Sequence, residues 1–245
     1  MRILLACVLL ITSPLLSAKQ PDSARDIIHR VEQLYRGDAS RAEITMIVKT
    51  PQYERTLKMA ADSLNQDFAF FRILAPKKDR GIATLKRHQE MWNFFPKINK
   101  VIKVPPSMMM GSWMGSDFTN DDLVKETELV DAYNLVLDET EDLYEFTLTP
   151  REETVTVWGK IDYIVSKQPL LPVRQIFYDD DGEKVRVMTF SEPMEYAGKL
   201  LPSRLEMTPL NKPGHSTIVV YDSLSFDPPD ITEQIFSLRN LKSRF

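Results

Sequence analysis

Side chains suited to covalent chemistry are few in this sequence. Histidine occurs three times, as His29, His88 and His215, and cysteine once, as Cys7. No two histidines stand at metal-ligand spacing. No Gly-x-Ser-x-Gly elbow exposes a serine, and activation of a nucleophile needs an oriented base beside it. The run Asp179-Asp180-Asp181-Gly182-Glu183 is acidic enough to suggest calcium. It lacks the alternate-residue ligands of a calcium loop and reads as a solvated hairpin tip. Glycine-rich phosphate loops are absent. These observations predict no enzyme, no metal and no cofactor.

The chemistry that the residues do favour is apolar. From Ser107 to Phe118 the chain carries Met108, Met109, Met110, Trp113, Met114 and Phe118 among small residues that include Gly115 and Ser116. Unbranched methionine adapts to irregular apolar partners, so such a stretch suits variable greasy ligands, or it closes one end of an ordinary core. The next residues favour a helix start, with Thr119 as cap and Asp121 and Asp122 in the first turn, where the dipole welcomes acids. Asp117, Asp121 and Asp122 therefore have a structural task before any catalytic one. A second apolar concentration is aromatic: Phe68, Phe70, Phe71, Trp92, Phe94 and Phe95. Adjacent pairs on a strand put bulk on both faces of a sheet. One face is free to line a cavity while the other packs under a helix, and a simply filled barrel explains the same residues.

The elements that must position these residues are mostly strands. Near the start, Ala24, Ile27, Ile28, Val31, Leu34 and Tyr35 recur at helical spacing, with Asp22 or Ser23 as cap and Gly37 as terminator. From Ser40 the period becomes two. Strand-like runs follow at residues 55–62, 67–74, 81–88, 91–95 and 98–104, and again at 133–138, 143–149, 154–165, 173–178, 184–190, 201–208 and 216–224. Proline and glycine breaks separate them, and Asp181-Gly182 is a hairpin turn signal. The pattern predicts a mainly β chain whose meandering antiparallel sheet curls into a barrel or half-barrel. Asp230 is placed to cap a short helix over 231–238.

Bulk properties set the compartment. Met1-Arg2 precedes an apolar run from Ile3 to Leu16, and Ser17-Ala18 offers a small-residue cleavage point, the layout of a signal peptide over residues 1–18. Residues 19–245 then form a single exported domain. A lipidated Cys7 that anchors the chain in a membrane is the alternative. With 31 basic and 35 acidic side chains, the formal charge of −4 argues against a general nucleic-acid binder.

Several motifs resemble a family. Pro76-Lys77-Lys78-Asp79-Arg80-Gly81, Leu85-Lys86 and Met91-Trp92-Asn93-Phe94-Phe95-Pro96 are similar to the early strands of outer-membrane lipoprotein-sorting proteins. Met114-Gly115-Ser116-Asp117-Phe118-Thr119-Asn120-Asp121-Asp122-Leu123 resembles that family's Gly-Ser-Asp-Phe-Thr-x-x-Asp-Leu signature. Trp158-Gly159-Lys160-Ile161-Asp162, Leu171-Pro172-Val173-Arg174, Tyr178-Asp179-Asp180-Asp181-Gly182 and Phe236-Ser237-Leu238-Arg239-Asn240-Leu241 also fit. The resemblance spans nearly all of residues 19–245 and places the chain with LolA/LolB-like periplasmic carriers. It implies an incomplete antiparallel β-barrel around helices that act as a lid over an apolar cavity.

The expected function is a periplasmic carrier that holds the acyl chain of a lipid or lipoprotein for transfer towards the outer membrane. The alternative is an accessory or sensor subunit of an inner-membrane RND- or ABC-type exporter, binding protein instead of lipid. Phe68, Phe70, Trp92 and Phe94 are expected to line the cavity wall. Met108, Met109, Met110, Trp113, Met114 and Phe118 are expected to form a movable lip, with Gly115, Ser116, Asp117, Thr119, Asp122 and Leu123 as its structural motif.

Overall fold

A computed structural model describes residues 23–35, 37–124 and 129–243. The signal-peptide and Cys7 readings lie outside the described residues. Helix α1 (Ala24–Glu32) starts on Ser23, whose hydroxyl accepts from the Asp26 amide while the Asp26 carboxylate accepts from the Ser23 amide. This reciprocal pair satisfies two donors that the helix itself leaves open. Ile27, Ile28 and Val31 form its buried stripe.

Thirteen strands follow: β1 (Ala39–Lys49), β2 (Glu54–Leu64), β3 (Phe68–Ala75), β4 (Ala83–Arg87), β5 (Glu90–Phe95), β6 (Lys100–Lys103), β7 (Tyr133–Glu139), β8 (Leu143–Pro150), β9 (Lys160–Ser166), β10 (Leu171–Tyr178), β11 (Lys184–Tyr196), β12 (Lys199–Pro209) and β13 (Ser216–Phe226). They form one antiparallel sheet in the order β6-β5-β4-β3-β2-β1-β13-β12-β11-β10-β9-β8-β7. The long central strand β1 pairs β2 on one side and β13 on the other, so chain start and chain end meet mid-sheet. The two outermost strands, β6 and β7, do not pair, and the barrel stays open. Between them the chain passes through α2 (Asn120–Val124) and α3 (Leu129–Ala132).

Period-two burial gives each strand two jobs. On the inner face Ala42, Ile44, Met46 and Val48 of β1 join Leu57, Met59, Ile73 and Met91 in a cluster closed by Trp113 and Val124. Further along the sheet, α1 lays Ile27, Ile28 and Val31 on Phe146, Leu148, Ile161, Tyr163 and Val165. On the outer face Phe68, Phe70, Leu85 and Phe94 are covered by Ile231, Phe236 and Leu241 of the carboxy-terminal segment.

Two elements depart from the sequence pattern. Residues 154–158 alternate like a strand but leave the sheet, because Thr154 donates its hydroxyl to the Ala132 carbonyl at 2.6 Å and Thr156 bonds the Tyr133 hydroxyl at 3.2 Å. The short helix expected over 231–238 is replaced by a 3-10 turn at Glu233–Ile235 and by α4 (Leu238–Leu241), capped by Ser237. Asp230 is drawn away from a capping role by Arg41, at 2.9 Å.

Candidate functional site

Under α2 and α3 the curled sheet keeps a hollow of about 550 Å³. Its walls come from strands across the whole sheet: Ile44 of β1, Met59 of β2, Phe71 of β3, Phe177 of β10, Met188 of β11 and Val219 of β13. Trp113, Phe118, Leu123 and Leu129 cover it, and Asp121, Asp131, Glu153 and Thr154 supply polar lining. Binding pockets for small ligands span about 300–1,000 Å³ and are mostly apolar with few polar groups, which this hollow matches.

The cover is held at two points by different means. The first is the indole of Trp113, which is 5% exposed. Its Nε1–H donates to the Thr84 hydroxyl at 3.1 Å, Thr84 bonds Asn93 at 2.6 Å, and the ring meets Phe71 edge-on at 5.1 Å between centroids. The backbone around it is knotted by polar bonds. The Trp113 amide donates to the Phe118 carbonyl at 2.8 Å, and the Ser116 hydroxyl donates to the Trp113 carbonyl at 2.7 Å. Met114 and Gly115 both take positive φ, +51° and +76°, so glycine at 115 relieves a turn that a side chain would strain. Asp117 clamps this turn to β13, exchanging bonds with Thr217 at 2.9 and 2.7 Å.

The second point is ionic. Arg186 of β11 reaches Asp122 of α2 through both Nη atoms, at 2.8 and 2.5 Å. The Arg186 side chain is 6% exposed and its guanidinium lies 4.3 Å from the Trp158 ring centroid and 4.4 Å from that of Phe177. Asp122 also accepts from the Thr119 amide at 2.8 Å, and Thr119 accepts from the Asp122 amide at 3.1 Å. The same carboxylate therefore caps α2 and fastens it to the wall. The Arg186 Nε is buried without a hydrogen-bond partner. Such a pair is costly to desolvate, and removing one partner leaves the other charge buried and uncompensated. Burial also pushes up the phenol of Tyr133, which lines the hollow, and that of Tyr163, which packs under α1.

The structure places Trp113 and Phe118, expected in the lip, and Asp122 and Leu123, expected in its structural motif, along the hollow. It divides the expected lip. Met109 and Met114 pack half-buried on the inner core, Trp113 is buried within it, and Met108 and Met110 are exposed. The expected wall is corrected. Phe68, Phe70, Trp92 and Phe94 belong to the outer-face cluster under the carboxy-terminal segment. Parity decides this: Phe71 and Met91, one residue away, take the inner face. Gly115, Ser116, Asp117 and Thr119 do the local structural work described above. Sequence reading missed Arg186, Trp158 and Phe177. Arg186 shares inward parity with Met188 and Phe190 on a strand-like run, and a charge on an apolar stripe is the signal that would have found it.

Among the described residues no group of three or more His, Cys, Asp or Glu side chains is placed to hold a metal, and no helix is long and apolar enough to cross a membrane. Asp179 spends its carboxylate on the amides of Asp181 and Glu183, at 3.1 and 2.9 Å, within the hairpin turn.

A family model described only as "Uncharacterized protein" matches residues 65–243. No curated protein matches the sequence. Solved structures share the fold. An outer membrane lipoprotein-sorting protein domain from Vibrio parahaemolyticus, as that structure is described, is 23% identical with a TM-score of 0.76, over 89% of this chain and 98% of its own. A DUF1329 family protein from Desulfovibrio piger is 22% identical with a TM-score of 0.78, over 89% and 97%. A LolA superfamily protein from Nitrosomonas europaea is 18% identical with a TM-score of 0.72, over 89% and 99%. At these identities the likeness establishes the fold: a mainly β, open antiparallel half-barrel of the LolA type with few helices.

Proposed function

The chain belongs to that family of uncharacterized proteins and has the LolA-type fold, and on this premise we propose that it is a periplasmic carrier sheltering an acyl chain of a lipid or lipoprotein in its hollow. The observation that carries the reading is the mostly apolar hollow of about 550 Å³ beneath a cover held by polar bonds and ion pairs. Native interiors otherwise pack closely, and a mostly apolar hollow of this size falls within the range of ligand pockets. Burying an alkyl chain is worth about 0.8 kcal/mol per methylene, so a chain of roughly 16 carbons gains on the order of 12 kcal/mol gross. Opening the cover and ordering the ligand offset several kcal/mol of that, which leaves an affinity that a recipient can reverse. The apolar amino terminus ending in Ser17-Ala18 supports export.

Native mass spectrometry of protein taken from the periplasm, followed by lipid extraction, tests the proposal. The expected result is a non-covalent adduct with the mass of an acyl lipid, absent from a Val219→Trp variant that fills the hollow without unfolding the sheet. Protein that emerges without lipid at every stage of gentle purification, and takes none up when offered, contradicts it.

A further inference from the structure

Charge is distributed very unevenly along this chain. Between residues 76 and 111 there are eight Lys and Arg side chains and two acids, whereas the rest of the sequence carries 23 basic against 33 acidic. The two acids of the basic stretch are already engaged, Asp79 with Arg55 at 3.2 Å and Glu90 with Lys103. The fold gathers the basic residues on the β6 side of the sheet. The β3–β4 turn carries exposed Lys77, Lys78 and Arg80, and the β5–β6 turn carries exposed Lys97 and Lys100. The two turns touch: a Cβ on Gly81 would lie 3.5 Å from Pro96. At the apex between Lys97 and Lys100 stands Ile98, 60% exposed, with Ile102 47% exposed on the edge strand behind it.

We propose that this edge is a docking surface for an anionic lipid bilayer, with Ile98 entering the interface and the surrounding lysines and arginine binding the head groups. Two features favour a bilayer over an acidic protein. Lysine is depleted in protein interfaces, where arginine and aromatic anchors dominate, yet four of the five cations at this tip are lysine and its exposed apolar residues are aliphatic. Long lysine stems also suit a boundary, since they lie along apolar surface with the ammonium in the head-group layer. Each basic side chain near an anionic surface contributes about 1 kcal/mol, so five of them with one inserted isoleucine give reversible, salt-sensitive attachment. From this edge the chain runs directly into the Trp113 plug, so a docked bilayer lies alongside the cover's hydrogen-bonded end. The docking surface does not depend on what the hollow holds.

Flotation of the intact exported protein with vesicles tests the inference. Two compositions are compared, phosphatidylcholine alone and phosphatidylcholine with phosphatidylglycerol, each at low and high salt. Expected is binding to the phosphatidylglycerol vesicles only, released by salt. It weakens at least about tenfold in Lys97→Glu/Lys100→Glu, since two reversals exceed the 1.4 kcal/mol that a tenfold change represents. Ile98→Ser should weaken it severalfold with all charges kept, and Lys199→Glu, on the β11–β12 hairpin at the opposite end of the sheet, should leave it unchanged. Melting curves confirm that each variant is folded. Absence of binding to either vesicle, equal binding to both, or indifference to the double reversal overturns the inference. So does an acidic protein that competes the chain off vesicles or binds the same lysines without them.

Discussion

Two of the segments that cover the sheet lie on opposite faces and are held by opposite means. On the outer face the carboxy-terminal segment presses Ile231, Phe236 and Leu241 into the aromatic stripe of β3, β4 and β5, leaving Phe236 1% exposed and Leu241 fully buried. Arg72 completes that contact, donating to the carbonyls of Asn240 and Ser243 at 2.8 Å each, where basic groups complement a helix end. Apolar contact fills the space. On the inner face Trp113 and α2 lie over the hollow and are fastened by polar bonds, Trp113 to Thr84 and Asp122 to Arg186, while Asp131 of α3 pairs Arg25 of α1 at 2.9 Å. A packed covering has no alternative state of similar energy. A covering held over a hollow by polar bonds is easier to lift, because water can replace each partner. The outer covering is a packed layer, and the inner one is the part that the proposed carrier would open.

Truncating the outer covering should cost most. Phe236→Ala removes a fully packed ring and should destabilise the whole chain by about 3–5 kcal/mol in chemical denaturation, with no selective effect on lipid uptake. A selective effect would erase the contrast between the two faces. Asp122→Asn should cost about 3 kcal/mol by leaving the Arg186 charge buried, and the loss should be local. Hydrogen exchange should quicken across α2 while α4 keeps its protection. Replacing both partners by apolar residues, Asp122→Leu with Arg186→Met, should recover stability and slow lipid release, since buried pairs are replaceable by packing but not by half a pair. Exchange rising equally on both faces after Asp122→Asn would mean that the pair holds the fold, not the cover. Smaller still, Thr84→Val strands the Trp113 indole donor and should cost about 1–3 kcal/mol. Tryptophan emission should report a loosened ring while the outer cluster is unmoved.

Much of this architecture is legible in the sequence, and the reasons differ by element. The helix over 24–32 is written in Ile27, Ile28 and Val31 and in Ser23 with Asp26. The strands are written in period-two alternation and in the turns between them, and Asp181-Gly182 marks its hairpin, where Gly182 has φ +80°. The face of each strand is not written there. Phe70-Phe71 offers equal bulk to either side, and only the carboxy-terminal segment, arriving from some 160 residues away, decides that Phe70 is outer and Phe71 inner. For the same reason Phe68, Phe70, Trp92 and Phe94 looked like a cavity wall. The turn and helix start over Gly115 to Leu123 are legible because a glycine at positive φ, a threonine cap and two early acids are local requirements. The partner of Asp122 was not local: Arg186 lies 64 residues downstream. Residues 154–158 alternate in sequence yet leave the sheet, because the ends of α3 and β7 capture their hydroxyls.

The central claim is that the hollow holds an alkyl chain. The most direct measurement is a crystal structure of the protein with a monoacylglycerol whose chain carries bromine, read by anomalous scattering. The account predicts bromine peaks inside the hollow, between Met59 of β2 and Phe177 of β10, with the carboxy-terminal covering undisturbed. Bromine found only on the outer surface, or a saturated crystal with the hollow closed by its own side chains, would contradict it.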